Sequence, residues 1–163
     1  MILGITGHRP KSLGCGYEIP NPTYERIYQK LLDKFTELKP EKIISGMALG
    51  VDQWAVSAAM ELAIPFIAAV PFKGQDSRWP VRSRKIYEEL LSSADRIVII
   101  GELSPDNFAD LMFLRNAWII DNSTGLLAIW NGERKGGTFS AVNYAREKND
   151  YPIHIINPRE LAA

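Results

Sequence analysis

An α/β fold with a mostly parallel, doubly wound sheet of about six strands is what this sequence predicts. Three observations predict it. Short apolar runs alternate with amphipathic stretches along all 163 residues. The runs are apolar throughout, which marks strands covered on both faces. No repeat and no Pro/Gly/Ser linker divides the chain, so residues 1–163 read as one domain.

The elements follow in order. The first strand is Ile2 to Thr6, and a Gly/Pro-rich segment from Gly7 to Asn21 follows it. From Pro22 to Leu38, apolar residues at Tyr24, Ile27, Tyr28, Leu31, Leu32, Phe35 and Leu38 recur at offsets of three and four. That spacing predicts one helical face, with Asn21 as N-cap and Pro22 in the first position. A strand at Lys42 to Ser45 leads to a helix from about Val51 to Leu62, and Phe66 to Val70 reads as a buried strand. A helix from about Arg82 to Ser92 precedes the strand Arg96 to Ile100. A helix near Phe108 to Ile120 precedes the strand Leu126 to Trp130, and Thr138 to Lys148 leads to the strand Ile153 to Ile156. Six strands thus alternate with five helices. Right-handed crossovers turn that alternation into a Rossmann-like sheet with helices on both faces. In such sheets ligands bind beyond the carboxyl ends of the strands, so the loops after each strand hold the candidate function.

Composition narrows the classes. Lys plus Arg and Asp plus Glu both total 19, so the net charge is zero, which disfavours nucleic acid as a partner. One Cys, Cys15, and two His, His8 and His154, are too few and too scattered for a zinc site or an internal disulfide. No metal is expected. The longest apolar stretch, Ile64 to Phe72, is broken by Pro65 and Pro71 and cannot span a bilayer, and MILGIT lacks the charged start of a secretory leader. A cytoplasmic protein with no membrane partner is expected.

The first loop offers Gly7, for close backbone approach or positive φ, and Arg9, for a phosphate or carboxylate. The second, Ser45-Gly46-Met47-Ala48-Leu49-Gly50-Val51-Asp52, places two Gly residues at a strand-to-helix junction, where backbone amides hold anions. Asp52 either caps that helix or accepts from a ribose hydroxyl. The third holds Phe72, Lys73, Gln75, Arg78 and Trp79. Its aromatics either stack on a base, with Gln75 reading the edge, or cover the sheet end. After the fifth strand, Gly136-Gly137-Thr138 opens the last helix as a second phosphate cradle, with Thr138 a natural cap. Arg115 lies on the fourth helix and either contacts ligand or pairs structurally. Basic residues gather in these loops and would focus an anionic ligand.

These loops resemble the SLOG superfamily. Ser-Gly-Met-Ala-Leu-Gly-Val-Asp at 45–52 is similar to its SGxAxGxD pattern, and Gly-Gly-Thr at 136–138 to its second phosphate-side motif. The order Gly-His-Arg-Pro, SGMAxGVD, PFxGQ…W, then WNG…GGT resembles the YpsA-like branch. The resemblance implies a Rossmann-like domain that binds a nucleotide or a nucleotide-derived ligand such as a nucleotide-sugar or an ADP-ribose-like compound. It implies contacts from Gly46, Gly50, Asp52, Gly136, Gly137 and Thr138, with Gly7 and Arg9 lining the same cleft. Ser45, Gln75 and Arg115 join them as candidates from their own loops and helix. It also implies a homo-oligomer. The superfamily's phosphoribohydrolases carry a catalytic Glu where this chain has Ala141, so their activity is not carried over.

Three functions compete. The first is a sensor or carrier that binds a nucleotide derivative, with no further cofactor identified. The second is a hydrolase of an N-glycosidic or phosphoester bond, using Asp52, Asp76 or Asp121. The third is an interaction platform built on Trp79, Trp118 or Trp130.

Overall fold

The structure, a computed structural model, describes residues 1–161. Its elements run β1 (Ile2–Gly7), α1 (Pro10–Leu13), α2 (Pro22–Leu38), β2 (Lys42–Ser45), α3 (Val51–Glu61), β3 (Phe66–Phe72), α4 (Val81–Ser92), β4 (Arg96–Gly101), α5 (Phe108–Asp121), β5 (Gly125–Ile129), α6 (Gly136–Arg146) and β6 (Ile153–Ile156). A 3-10 turn follows at Pro158–Glu160.

The six strands form one sheet in the order β4-β3-β2-β1-β5-β6. Every strand pair is parallel, so the predicted sheet is present and fully parallel. The chain winds outward from β1 to β4, then returns to lay β5 on the other side of β1. The reversal places the switch point between β1 and β5, and a crevice opens there between diverging loops.

Local sequence accounts for the helices. Asn21 caps α2: its Oδ1 accepts from the Tyr24 N–H at 2.9 Å. The stripe Ile27, Leu31 and Phe35, spaced by four, is fully buried. Each such side chain contributes about 1.5–3 kcal/mol relative to exposure. This stripe joins α3 residues such as Val51, Ala55 and Ala58, Tyr87 of α4, and Leu3, Ile5, Leu127 and Ile129 on one sheet face. The alternate strand residues, Leu126 and Ala128 for example, face α5 and α6 on the other. Strand periodicity of two thus sorts β1 and β5 into both layers.

Besides shifts of one or two residues at element ends, three features differ from the sequence reading. The α1 turn was not expected; at four residues it is too short to show a helical period. Helix α6 begins at Gly136, so Thr138 lies inside its first turn and Lys135 holds the N-cap position. Thr138 is therefore not the cap: Gly136, at φ 87°, makes the turn into the helix two residues before it. Strand β4, expected to be buried, lies at the sheet edge and leaves Ile97 and Ile99 exposed.

Candidate functional site

A cleft of about 670 Å³ opens at the switch point, beyond the carboxyl ends of the strands. Gly7, His8 and Arg9 after β1 form one wall, and Gly136, Gly137 and Thr138 at the start of α6 form the facing one. Asp52 and Arg115 lie at its base, and Phe108, Met112 and Asn116 of α5 close the side. A second cavity of about 750 Å³ adjoins it, lined by Phe72, Gln75, Arg78, Trp79 and Leu103. Arg9, Phe108 and Met112 line both.

The 45–52 loop forms a self-bonded floor. Ser45 is fully buried; its hydroxyl donates to the Asp52 carbonyl at 2.9 Å and accepts from the Met47 N–H at 3.1 Å. The Gly46 carbonyl accepts from Arg115 Nη1 at 2.7 Å and from Gln75 Nε2 at 3.1 Å. Gly50 presses on the first loop: a Cβ there would lie 2.7 Å from the His8 carbonyl oxygen. That same oxygen accepts from the Val51 N–H at 3.3 Å. Of the predicted residues, Gly7, Arg9, Asp52, Arg115, Gly136, Gly137 and Thr138 line the cleft, and Gln75 lines the adjoining cavity. Ser45, Gly46 and Gly50 stand behind the surface and build it. Gly7 lines the cleft with its backbone, while its missing side chain makes room for that of Val51.

The helix start at α6 differs. No side chain caps it, and a Cβ on Gly136 or Gly137 would meet nothing within 4 Å. Asn116 donates from its amide to the Gly137 carbonyl at 3.4 Å, joining α5 to this turn. Open amides at the positive end of an eleven-residue helix suit an anion.

Electrostatics follow burial. Asp52 is 7% exposed and Arg115 4%. Burial pushes the Asp52 carboxyl up; the Arg115 charge, the Ala48 N–H at 3.2 Å and Arg9 pull it back. Burial likewise lowers Arg115, and Asp52 is its main compensating charge. His8 ties the two switch-point loops together, its Nε2 accepting from the Asn131 N–H at 3.1 Å. Burial lowers its pKa, favouring the neutral ring that this acceptor role requires. Cys15 is half-buried and its thiol is pushed up, which works against a reactive thiolate.

Of the carboxylates proposed for hydrolysis, only Asp52 lines the cleft. Asp121 instead accepts from the Tyr144 hydroxyl at 2.9 Å and pairs with Lys148. Trp130 is buried, stacks on Phe139 at 6.1 Å and donates from Nε1 to the Glu133 carbonyl. It offers no interaction platform. Sequence reasoning passed over His8, Phe108, Met112 and Asn116 as site residues. The signal for two of them was available: α5 is apolar all round, which a helix with one buried face does not need. Among the described residues, no three His, Cys, Asp or Glu side chains gather as a metal site, and no helix is long and apolar enough to cross a membrane.

Comparison with known proteins decides the family. Residues 3–161 match the model of the YspA SLOG family. The chain belongs to the YspA SLOG family. A UPF0398 protein of Bacillus pumilus is 28% identical over 99% of this chain and 90% of its own. Another, from Bacillus thuringiensis strain Al Hakam, is 30% identical over 91% of this chain and 84% of its own. Among solved structures, the DNA processing protein A of Streptococcus pneumoniae superposes with a TM-score of 0.66 at 17% identity, covering 95% of this chain and 50% of that one. That of Helicobacter pylori, whose structure concerns single-stranded DNA binding, gives 0.64 at 22% identity, over 95% of this chain and 64% of that one. These likenesses establish that this SLOG family member has the predicted Rossmann-like fold; the chain spans about half to two-thirds of those neighbours.

Proposed function

We propose that this chain binds a nucleotide or nucleotide-derived ligand in the switch-point cleft, as a sensor or carrier. The observation that carries the reading is the uncapped start of α6, where Gly136 and Gly137 leave the helix amides open to a cleft shared with Arg9 and Lys135. A phosphate there gains N–H donors, the helix dipole and two cations. Asp52, at the base of the same cleft, is an acceptor for a sugar hydroxyl. Family membership supports the reading. The reading includes self-association, supported by Phe113 and Leu114, which stand exposed on α5.

Thermal shift tests it. The panel holds nucleoside mono- and diphosphates, ADP-ribose, inorganic pyrophosphate and a short single-stranded DNA. A ligand at about 1,000 times its Kd adds ~4 kcal/mol, which raises the midpoint by about ten degrees for a domain of this size. Gly137→Phe should abolish that shift without lowering the unliganded midpoint. A shift from DNA alone would place this chain beside its structural neighbours instead.

A further inference from the structure

The second cavity is the part of the molecule that phosphate binding leaves unused. Its walls bring the aromatic side chains Phe72 and Trp79 together with the polar Gln75 and Arg78. Phe72 is buried and packs against Phe108 with ring centroids 5.9 Å apart. Trp79 stands edge-on to Tyr87 at 5.2 Å. Phe108 is 54% exposed, at the boundary between the two cavities. A side chain of that size gains little by standing in water, and much if a flat ring covers it.

Gln75 adds direction. Its Nε2 donates to the Gly46 carbonyl at 3.1 Å and meets the Tyr87 hydroxyl at 3.2 Å. A carbonyl only accepts, so the amide cannot flip. Gln75 therefore presents Oε1 as its remaining polar group in the cavity it lines. Such an acceptor suits an exocyclic amino group.

Resting on the nucleotide reading above, we infer that the ligand spans both cavities. An amino-bearing base lies between Phe108 and Trp79, the chain crosses at Arg9, and the phosphates end at the α6 start. The ligand class is a nucleoside 5′-diphosphate, or a longer pyrophosphate-linked compound. Each cavity alone is large enough for a drug-sized molecule, so a mononucleotide fills only one.

Fluorescence and calorimetry with ADP, IDP and inorganic pyrophosphate test this. ADP should change the emission of Trp79, and Trp79→Phe should remove that change; pyrophosphate should bind without causing it. Phe108→Ala, at an exposed position that lines both cavities, should weaken ADP about tenfold or more, as loss of a base–aromatic stack does, and weaken pyrophosphate far less. IDP, which lacks the amino group, should bind more weakly than ADP. If pyrophosphate binds and is lost in Gly137→Phe, but ADP binds no tighter and ignores Phe108→Ala, the base site is refuted while the phosphate reading stands. If neither compound binds, both readings fall.

Discussion

Arg115 lies flat across Gly46 and donates from Nη1 to its carbonyl at 2.7 Å. A Cβ at residue 46 would sit 2.6 Å from the guanidinium carbon, so only glycine admits this arrangement. The pair joins α5 to the loop after β2 across 69 residues of sequence and closes the base of the cleft. Gly46→Ala should therefore push Arg115 off the loop, at a cost of about 1–3 kcal/mol by urea denaturation. An unchanged midpoint would mean the guanidinium relocates freely.

Asp52 and Arg115 hold their charges in the same buried layer. Arg115→Met leaves Asp52 without its main compensating charge and should cost about 3–5 kcal/mol. Adding Asp52→Asn should recover part of that loss. Coupling of at least ~0.5 kcal/mol in the double-mutant cycle is expected, whereas additive losses would show that the two groups act independently.

Gly50 is held at φ 93° against the first loop, while Gly14 lies at φ 71° in open space. Gly14→Ala should cost about 1–2 kcal/mol, the left-handed penalty alone. Gly50→Ala adds a collision with the His8 carbonyl and with Pro10, and should cost more than about 3 kcal/mol. Equal losses in chemical denaturation would contradict the close packing of the two loops.

His8 makes stability pH-dependent. Burial holds its folded pKa below the ordinary value of about 6.5. Between those two values the unfolded chain binds more protons. The contribution is therefore complete above about pH 6.5 and is lost as the pH falls through the folded pKa. His8→Gln keeps an acceptor that does not titrate. Its melting midpoint should drop less than that of the wild type between about pH 7.5 and about pH 5. Parallel drops would show that His8 titrates alike in both states.

The sheet was legible because its strands are continuous apolar runs and because α2 carries a clear cap and period. The edge position of β4 was not, since Arg96 to Ile100 reads as apolar whether or not a helix covers both faces. At the candidate site, the glycine motifs pointed to loops that build the cleft but not to their roles. A glycine needed for an anion and one needed for a neighbouring side chain look the same in sequence. Gly46 and Gly50 are of the second kind, filled respectively by Arg115 and by the His8–Pro10 loop. Gly136 and Gly137 face open space. Distinguishing them requires the partner across the fold, which lies 69 residues away for Gly46.

The central claim is that anions bind at the start of α6 and not at the 45–52 loop. Amide chemical shifts during a titration with inorganic pyrophosphate test it most directly. The account predicts saturable movement of the Gly136, Gly137, Thr138 and Phe139 amides, with Met47 and Gly50 still. Movement centred on Ser45 to Asp52, or no saturable movement at all, would contradict it.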